Sequence, residues 1–407
     1  MNKKILIVNS GSSSLKFCVF SMPAQQIICS GIFERLNSEY SGRYSYKLPD
    51  EFGKMVKVFC DIEMQPNTTH REAILKMTSL LSDEKVGVVE DLSEISAVGH
   101  RVVQGGDMFS ESTLINDEVI EGIHSLCPLA PLHNPAHITG IEICREVFGK
   151  DLPQVAVFDN AFHSTMPATS YIYALPYKFY ENDKIRKYGF HGTSHKYVAN
   201  RVADIMNNPL EEIKLITCHL GNGCSITAIK DGKVLDTSMG FTPLDGFMMG
   251  SRCGAVDPSV ITYIMDKYAL SPKEMDAIMN KNSGVLGVSG IAADDQVVER
   301  EAVYGNARAK LARDMQWYQI RKYIGSYIAA MNGIDAIVFT GGIGENCPEL
   351  REDVINNLSY LGILLDKDAN NQRGKEIEIS TTDSKVKAFV IPTNEELMIA
   401  CDTFHLI

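Results

Sequence analysis

The sequence predicts an α/β protein in which mixed sheets are covered by helices and the core is built twice. Three observations carry this. The first half opens with closely spaced strand patterns and then alternates helix with strand, the order of a mixed sheet packed under helices. The second half begins the same way. The two openings also overlay: Ile7-Val8-Asn9-Ser10-Gly11-Ser12-Ser13-Ser14 parallels Thr217-Cys218-His219-Leu220-Gly221-Asn222-Gly223-Cys224. In each, an apolar strand runs into small polar residues and returns. Strand–turn–strand is common, so the overlay hints at a duplication, with a period far longer than that of a solenoid.

In the first half, Lys4–Val8 is apolar and β-branched. Leu15–Phe20, Gln26–Phe33 and the alternating Tyr44–Leu48 follow, which reads as an antiparallel meander. Helical periodicity appears over Arg71–Leu81, Asp117–Ser125 and Ala136–Val147, interleaved with strands at Ile95–Val98 and Gln154–Phe158. In the second half, Lys214–His219, Ser225–Lys230 and Lys233–Thr237 read as strands. One long helix is expected over Arg300–Met331. The strand Asp335–Phe339 then leads through Gly341-Gly342 to a helix near Pro348–Leu358. Val386–Ile391 is the last strand, and Asn394–Ala400 a short final helix.

At 407 residues the chain is long enough for two or three domains at roughly 100–200 residues each. Hydrophobic residues at 45% and charged residues at 22% are ordinary for a globular protein and argue against disorder. The net charge of −12 gives no general pull towards nucleic acid or an anionic membrane, although a small anion can still meet a locally basic site. No apolar run approaches the ~18 residues of a membrane span, and the N-terminal run is too short for a signal peptide. None of the ten cysteines has Cys-x-x-Cys spacing, and Cys18, Cys60 and Cys218 lie in apolar strand patterns. A reduced, cytoplasmic protein with thiols as small core residues is expected.

The Walker A, Gly-x-Gly-x-x-Gly, His-Glu-x-x-His and Gly-x-Ser-x-Gly patterns are all missing. Asn9-Ser10-Gly11-Ser12-Ser13-Ser14-Leu15-Lys16 is the first positive signal. Small residues let backbone N–H groups approach an anion, the hydroxyls of Ser12 and Ser14 add donors, and Lys16 adds a point charge. Asn9 offers an amide oxygen to the water shell of a metal. A plain polar hairpin would also use these residues, but four serines and a glycine before a lysine favour phosphate. His219-Leu220-Gly221-Asn222-Gly223 reads similarly, against a stronger alternative, since Asn-Gly is a common hairpin turn. Thr340-Gly341-Gly342-Ile343-Gly344-Glu345-Asn346 ends a strand and opens a helix, and its glycines permit close approach of a flat base or a phosphate.

Four cations sit in rigid Gly- or Pro-braced settings: Arg101 at a strand end, His133 in Pro131–Pro135, His191 between Gly189 and Gly192, and Arg252 between Gly250 and Gly254. Each alone is more often structural. Together they suggest an anion site, where the planar fork of Arg suits carboxylate and phosphate. Asp159 closes the apolar strand Val155–Phe158, a usual place for a catalytic or metal-linked carboxylate, or equally for a helix cap. Glu395 and Glu396 after Pro392-Thr393-Asn394 read as ordinary first-turn helix chemistry.

In this order, from Asn9 to Glu396, these blocks resemble the acetate kinase family, within the superfamily of acetate and sugar kinases, actin and Hsp70. The resemblance implies a two-domain actin-like ATPase fold with a duplicated βββαβαβα core and an interdomain cleft. Residues 1–159 plus 393–407 would form one lobe, with the first phosphate turn and the carboxylate site, and 160–392 the other, with the second phosphate loop and the adenosine loop. It implies that Asn9 and Glu395 serve a metal site and that Ser12, Ser14 and Lys16 face phosphate. Arg101 would hold a substrate carboxylate, with Val103, Leu132, Phe190 and Pro243 lining a small acyl pocket. Asp159, His191 and Arg252, with His133 nearby, would be catalytic. His219, Leu220, Gly221, Asn222 and Gly223, the element Asp294-Asp295-Gln296, and Gly342, Ile343, Gly344, Glu345 and Asn346 would hold the nucleotide.

The chain departs from the family pattern at Gln104, where His is frequent, Asn160, where Thr is usual, Gly341, where Ala is usual, and Gln296, where the nucleotide element has Arg. The last puts donor contacts in question. The reaction implied is reversible, Mg2+-dependent transfer of a phosphoryl group from ATP to acetate, with Mn2+ an alternative ion, by direct in-line attack of the carboxylate. The partners implied are these small molecules and a second copy of the chain, with no nucleic acid and no membrane. The alternatives are a propionate kinase of the same family and a non-catalytic actin/Hsp70-like nucleotide-binding protein.

Overall fold

Alternation within the first strand sets the layering of the first half of the chain. In the computed structural model, which describes residues 2–407, strand β1 (Lys3–Ser10) buries Ile5, Leu6, Ile7 and Val8 completely. Successive side chains of a strand point to opposite faces. Leu6 and Val8 therefore join Phe17, Phe33 and Tyr46 beneath the helices His70–Leu81 and Asn134–Phe148. Ile5 and Ile7 face Ile399 and Ala400 of the C-terminal helix Glu395–His405 on the other side. A strand covered on both faces reads as a continuous apolar run.

The remaining strands of this sheet are β2 (Ser14–Met22), β3 (Gln26–Glu34), β4 (Ser41–Pro49), β5 (Met55–Pro66), β6 (Ile95–Val102), β7 (Thr113–Leu114) and β8 (Gln154–Phe158). Their order is β5-β4-β3-β2-β1-β6-β8-β7. β1 to β5 form the expected antiparallel meander, and β1, β6 and β8 run parallel. A second sheet holds β9 (Leu215–Leu220), β10 (Cys224–Lys230), β11 (Lys233–Thr237), β12 (Ala336–Thr340), β13 (Ile377–Glu378) and β14 (Lys387–Val390), ordered β11-β10-β9-β12-β14-β13. Six strands of the first sheet, β3-β2-β1-β6-β8-β7, repeat this order with the same directions. The hint of duplication in the two turns is thus carried by the whole sheet, and the β4–β5 hairpin is an addition to the first copy.

Two compact units result: Met1–Phe162 with Asn394–Ile407, and His163–Thr393. Residues 160–162 stay with the first unit, and Thr393 with the second. Each unit is closed by a helix that follows the other unit's strands in the chain. Gly192–Met206 packs on β9 and β12, and Glu395–His405 packs on β1, β2, β6 and β8. Gly99 on β6 admits the latter: a Cβ there would lie 2.4 Å from Thr403 Oγ1 and 2.9 Å from Ile399 Cγ2.

Several expectations are corrected. The single helix over Arg300–Met331 is two, Asp295–Val303 and Ala307–Met331. Gly305 at φ +92° breaks it, and Asn306 restarts it as an N-cap, its side chain accepting from the Arg308 and Ala309 amides. Strand β5 was not expected: it lies at the sheet edge, mostly exposed, so it lacks an apolar alternation. Cys60 on β5 is exposed, whereas Cys18 and Cys218 are buried. The helix Gly192–Met206 was also missed, because its first turn, Gly-Thr-Ser-His, is polar and buried against other polar groups. The final helix runs on to His405. Among the described residues, no helix is long and apolar enough to cross a membrane.

Two glycine substitutions should move stability in opposite directions. Gly99→Ala forces Thr403 and Ile399 away from β6 and should cost about 1–3 kcal/mol by overpacking. Gly325→Ala, inside the helix Ala307–Met331 with no atom within 4 Å of the new Cβ, should gain about 0.5–1 kcal/mol. Denaturant unfolding of the two variants checks both signs.

Candidate active site

In the first unit, register gathers the charged residues. Val8 on β1 pairs with His100 on β6, and Arg101 pairs with Val157 on β8, so these parallel strands end together. Asn9, Arg101 and Asp159 therefore emerge at one carboxyl edge, the usual location of ligands in such sheets, and Lys16 faces Asn9 across the β1–β2 hairpin. The turn is tight, with the Gly11 amide donating to Ser14 O at 2.8 Å. Ser12 is exposed and Ser14 half-buried. Asn9 and Lys16 line a cavity of about 430 Å³ that also reaches Lys47, Asn394 and Glu396.

Asp159 is 1% exposed. Its carboxylate takes Arg101 Nε at 3.0 Å and Nη2 at 2.5 Å, a bidentate pair. Its amide donates to Val102 O at 2.9 Å, which fixes the strand end. Arg101 thus has only its Nη1 end clear of Asp159. Burial works against the Arg101 charge, yet Asp159, Glu395 and Glu396 around it hold its pKa above the ordinary guanidinium value. Asn394 caps the C-terminal helix by accepting from the Leu397 amide at 3.0 Å. The Glu395 carboxyl is turned inward, and burial pushes its pKa up to about 7. Arg101 and Lys16 oppose that rise, and Asp159 and Glu396 reinforce it. Two cations and three carboxylates thus share one edge.

His133 stands at the N-terminus of the helix Asn134–Phe148 without capping it. Its charge and that of Arg101 add to burial in depressing the neighbouring His137 to about 3. Val103 is buried, while Leu132 is 71% exposed. The two departures here serve the loop that carries Val103. Gln104 Oε1 accepts from the Gly106 amide at 2.9 Å, and Asn160 bonds Gly105 N at 2.8 Å and Gly106 O at 2.9 Å.

The second unit repeats the principle. His219 on β9 pairs with Thr340 on β12, so the turn Gly221-Asn222-Gly223 and the turn at Gly341 share a sheet edge. Gly341 has φ +77°, and a Cβ there would meet Leu220 O at 2.8 Å. The glycine in place of alanine suits that close approach. The Arg252 loop is tied to the first turn, since the Gly250 amide donates to Asn222 O at 3.2 Å. Gly223 is the meeting point: its Cβ position lies 3.4 Å from Arg252 Nη1 and 3.5 Å from His191 Cε1 and Nε2. Arg252 Nη1 also donates to Pro243 O at 3.3 Å, and burial lowers its pKa.

His191, at φ +58°, stacks on His219 with ring centroids 4.2 Å apart. Its Nδ1 lies 2.9 Å from Ser225 Oγ, which is also 2.7 Å from His195 Nε2, and His195 Nδ1 is 2.7 Å from Thr217 Oγ1. Ser194 Oγ similarly holds His219 Nδ1 at 2.8 Å. Burial, aided by His163 and His219, keeps His195 far below the usual imidazole range and so neutral. Ser194, His195, Thr217 and Ser225 were not assigned from sequence; the one trace was polar residues inside otherwise apolar strands and at a helix start.

Asn222, Asp294, Gln296, Gly342, Ile343 and Asn346 line a single cavity of about 800 Å³ in this unit. The Glu345 side chain faces the protein instead, accepting from the Gly341 amide at 2.9 Å and the Thr393 amide at 3.3 Å. Phe190 is buried and Pro243 half-buried here, whereas Val103 and Leu132 belong to the first unit.

Comparison with known proteins places these features. The Acetokinase family model matches residues 4–401. The chain belongs to this family. An acetate kinase of Halothermothrix orenii is 53% identical over 406 residues, which covers 99% of each chain. The crystal structure of the Porphyromonas gingivalis acetate kinase superposes with a TM-score of 0.92 at 44% identity over 99% of each chain. That of a propionate kinase from Francisella tularensis gives 0.89 at 42% identity over the full length of both. The fold is accordingly the actin-like ATPase fold, duplicated as the strand order shows.

The Glu395 carboxyl has a sharp signature. Its folded pKa of about 7 exceeds the ordinary 4.5, so the folded protein holds the proton more tightly. Below pH 4.5 both states are protonated and nothing is lost. As pH rises to about 7 the folded state is progressively penalised. In chelator-containing buffer, Glu395→Gln should leave Tm unchanged near pH 4.5 and raise it relative to the parent at pH 8. A variant that is less stable at pH 8 contradicts the assignment.

Proposed function

We propose that the protein catalyses reversible transfer of the γ-phosphoryl group of ATP to acetate, giving acetyl phosphate and ADP. The observation that carries this reading is the meeting of Arg252 and His191 at Gly223, beside the turn suited to phosphate. A carboxylate is ionised near neutral pH, its reference pKa being about 4, so the attacking oxygen needs no general base. The acetate oxygen forms a bond to the γ-phosphorus as the bond to the ADP oxygen breaks, and that oxygen leaves with the electron pair. The difficulty is contact between two anions. Arg252 and His191 meet the charge spread over the equatorial oxygens of the transferring group. His191 keeps Nε2 aimed at that position because the neutral His195 holds Ser225, which holds Nδ1.

Arg101 receives the acetate carboxylate through Nη1, while Asp159 holds the other edge of the guanidinium. This supports Asp159 as the group that orients Arg101 rather than one that takes a substrate proton. Val103, Leu132, Phe190 and Pro243 are assigned to the acyl group, with His133 beside the acceptor. The donors Asn9 and Glu395 are hard oxygen ligands of the kind Mg2+ takes, and Mn2+ suits the same set. A half-buried, desolvated carboxyl raised to about 7 is one that a cation would ionise. Bound there with ATP, the ion would neutralise phosphate charge. Ser12, Ser14 and Lys16 are assigned to the phosphate side. His219, Leu220, Gly221, Asn222, Gly223, Asp294, Gln296, Gly342, Ile343, Gly344 and Asn346 are assigned to the nucleotide, Glu345 acting through the Gly341 turn it braces. On the family resemblance we place the protein in the cytoplasm as a homodimer.

A second reading is favoured by the Francisella tularensis relative, a propionate kinase. One methylene is worth only about 1–3 kcal/mol, so acetate should be preferred to propionate by about tenfold or more, without excluding it. ATP, acetate and hydroxylamine should accumulate acetohydroxamate. No product with any short acid would leave only a nucleotide-binding protein, and faster turnover of propionate would reassign the substrate. Arg252→Ala should lower kcat by about 10³-fold, by analogy with a cis arginine finger. Arg101→Ala should raise the acetate KM and lower kcat; an unchanged KM removes Arg101 from acceptor binding.

A further inference from the structure

The cavity of about 800 Å³ has an unusual charge balance. Asp294, Asp295 and Glu299 line it, and Gln296 stands where the family pattern has an arginine, leaving Arg373 as the only lysine or arginine among the described lining residues. Two of the carboxylates are already met from behind. Arg313 Nη2 lies 3.3 Å from Glu299, and its Nε lies 3.7 Å from Asp295. Asp294 caps the helix Asp295–Val303, accepting from the Gln296 amide at 2.9 Å. Arg373 is exposed and forms no hydrogen bond or ion pair among the described residues. A long, rotamer-rich side chain thus lines the cavity with nothing among the described residues to satisfy it.

Its backbone is nevertheless fixed. Arg351 is fully buried and acts as a strut, donating from Nη1 to Gly344 O at 2.8 Å, from Nη2 to Gln372 O at 3.1 Å and from Nε to Asn370 Oδ1 at 2.8 Å. On the other side of Arg373 the Gly374 amide donates to Glu345 O at 3.1 Å. One buried guanidinium therefore sets both the Gly342–Asn346 wall and the segment that bears Arg373.

The two ends of that wall differ. At one end Gly342 N is 3.9 Å from the Cβ position of Gly221, in the phosphate turn. At the other, Asn346 Oδ1 is 3.6 Å from the Cβ position of Gly374. Four residues of helix separate them, about 6 Å at 1.5 Å per residue. Arg373 lies at the end away from the phosphates, where a nucleoside would sit.

We propose that Arg373 is a binding residue for the nucleoside half of the phosphoryl donor, laying its flat guanidinium against the purine in place of the charge that Gln296 lacks, with Arg351 as its positioning residue. Guanidinium groups stack on aromatic faces and pair in the plane with ring acceptors. This rests on the reading of the cavity as the nucleotide site.

The experiment compares the parent with Arg373→Ala and Arg373→Lys, measuring KM for ATP, KM for acetate, the inhibition constant of inorganic tripolyphosphate and Tm. Arg373→Ala should raise the ATP KM by about five- to thirtyfold, the range of a guanidinium–ring contact. Acetate KM, tripolyphosphate inhibition and Tm should stay within about twofold or 2 °C. Lysine, which lacks the planar fork, should recover only part. An ATP KM within twofold of the parent overturns the proposal, as does equal weakening of ATP and tripolyphosphate, which would make Arg373 a phosphate contact. A parent enzyme that binds no nucleotide would instead sink the functional reading itself, a result visible before any variant is made.

Discussion

The parallel backbone ladder is the constraint on which the rest depends. β1, β6 and β8 end at one edge, and β9, β12 and β14 at another. A strand buried on both faces has no room for charge along its length. Charge can enter only where the ladder stops, and Asn9, Arg101 and Asp159 stand at such positions, as do His219 and Thr340 in the second copy. A buried charge is costly unless paired and hydrogen-bonded. The Arg101–Asp159 pair meets that condition with two hydrogen bonds, and Glu395 meets it less well, which its raised pKa of about 7 reflects. At this edge Lys16 and Arg101 are nearly balanced by Asp159, Glu395 and Glu396.

The second unit solves a different problem, that of orienting imidazole rings through hydroxyl groups. His191, Ser225, His195 and Thr217 form a hydrogen-bonded chain, and Ser194 holds His219 beneath the His191 ring. A hydroxyl fixes the orientation of an imidazole without lying over its other nitrogen. Arg252 is likewise held by a backbone carbonyl and not by an acid. The same economy is visible at Arg351, whose guanidinium is satisfied by carbonyl and amide oxygens alone.

Much of this was legible in residue patterns. The strand runs at Lys4–Val8 and Gln154–Phe158 and the polar turns that follow are local signals, and the structure keeps them. Elements without a strong local signal were missed. β5 is a mostly exposed edge strand, and the helix Gly192–Met206 begins on polar residues whose partners are distant in sequence. The long helix broke at Gly305-Asn306, where a terminator and a cap stand side by side in a pattern otherwise helical. Cys60 sits in an apolar run yet is exposed, because apolar neighbours on an edge strand do not imply a covered face.

By itself the sequence determined the fold class, the two polar turns after apolar strands, and the set of arginines and histidines in rigid loops, because these depend on local propensity and spacing. Only the tertiary structure decided what each charge meets. Arg101 is half taken by Asp159, Glu395 turns inward from a first-turn position that reads as ordinary helix chemistry, Glu345 braces a turn, and Ser225 joins two histidines that lie on another element. The physical reason is that hydrogen bonds and desolvation act over a few ångströms in space, while the partners are separated by tens to hundreds of residues along the chain.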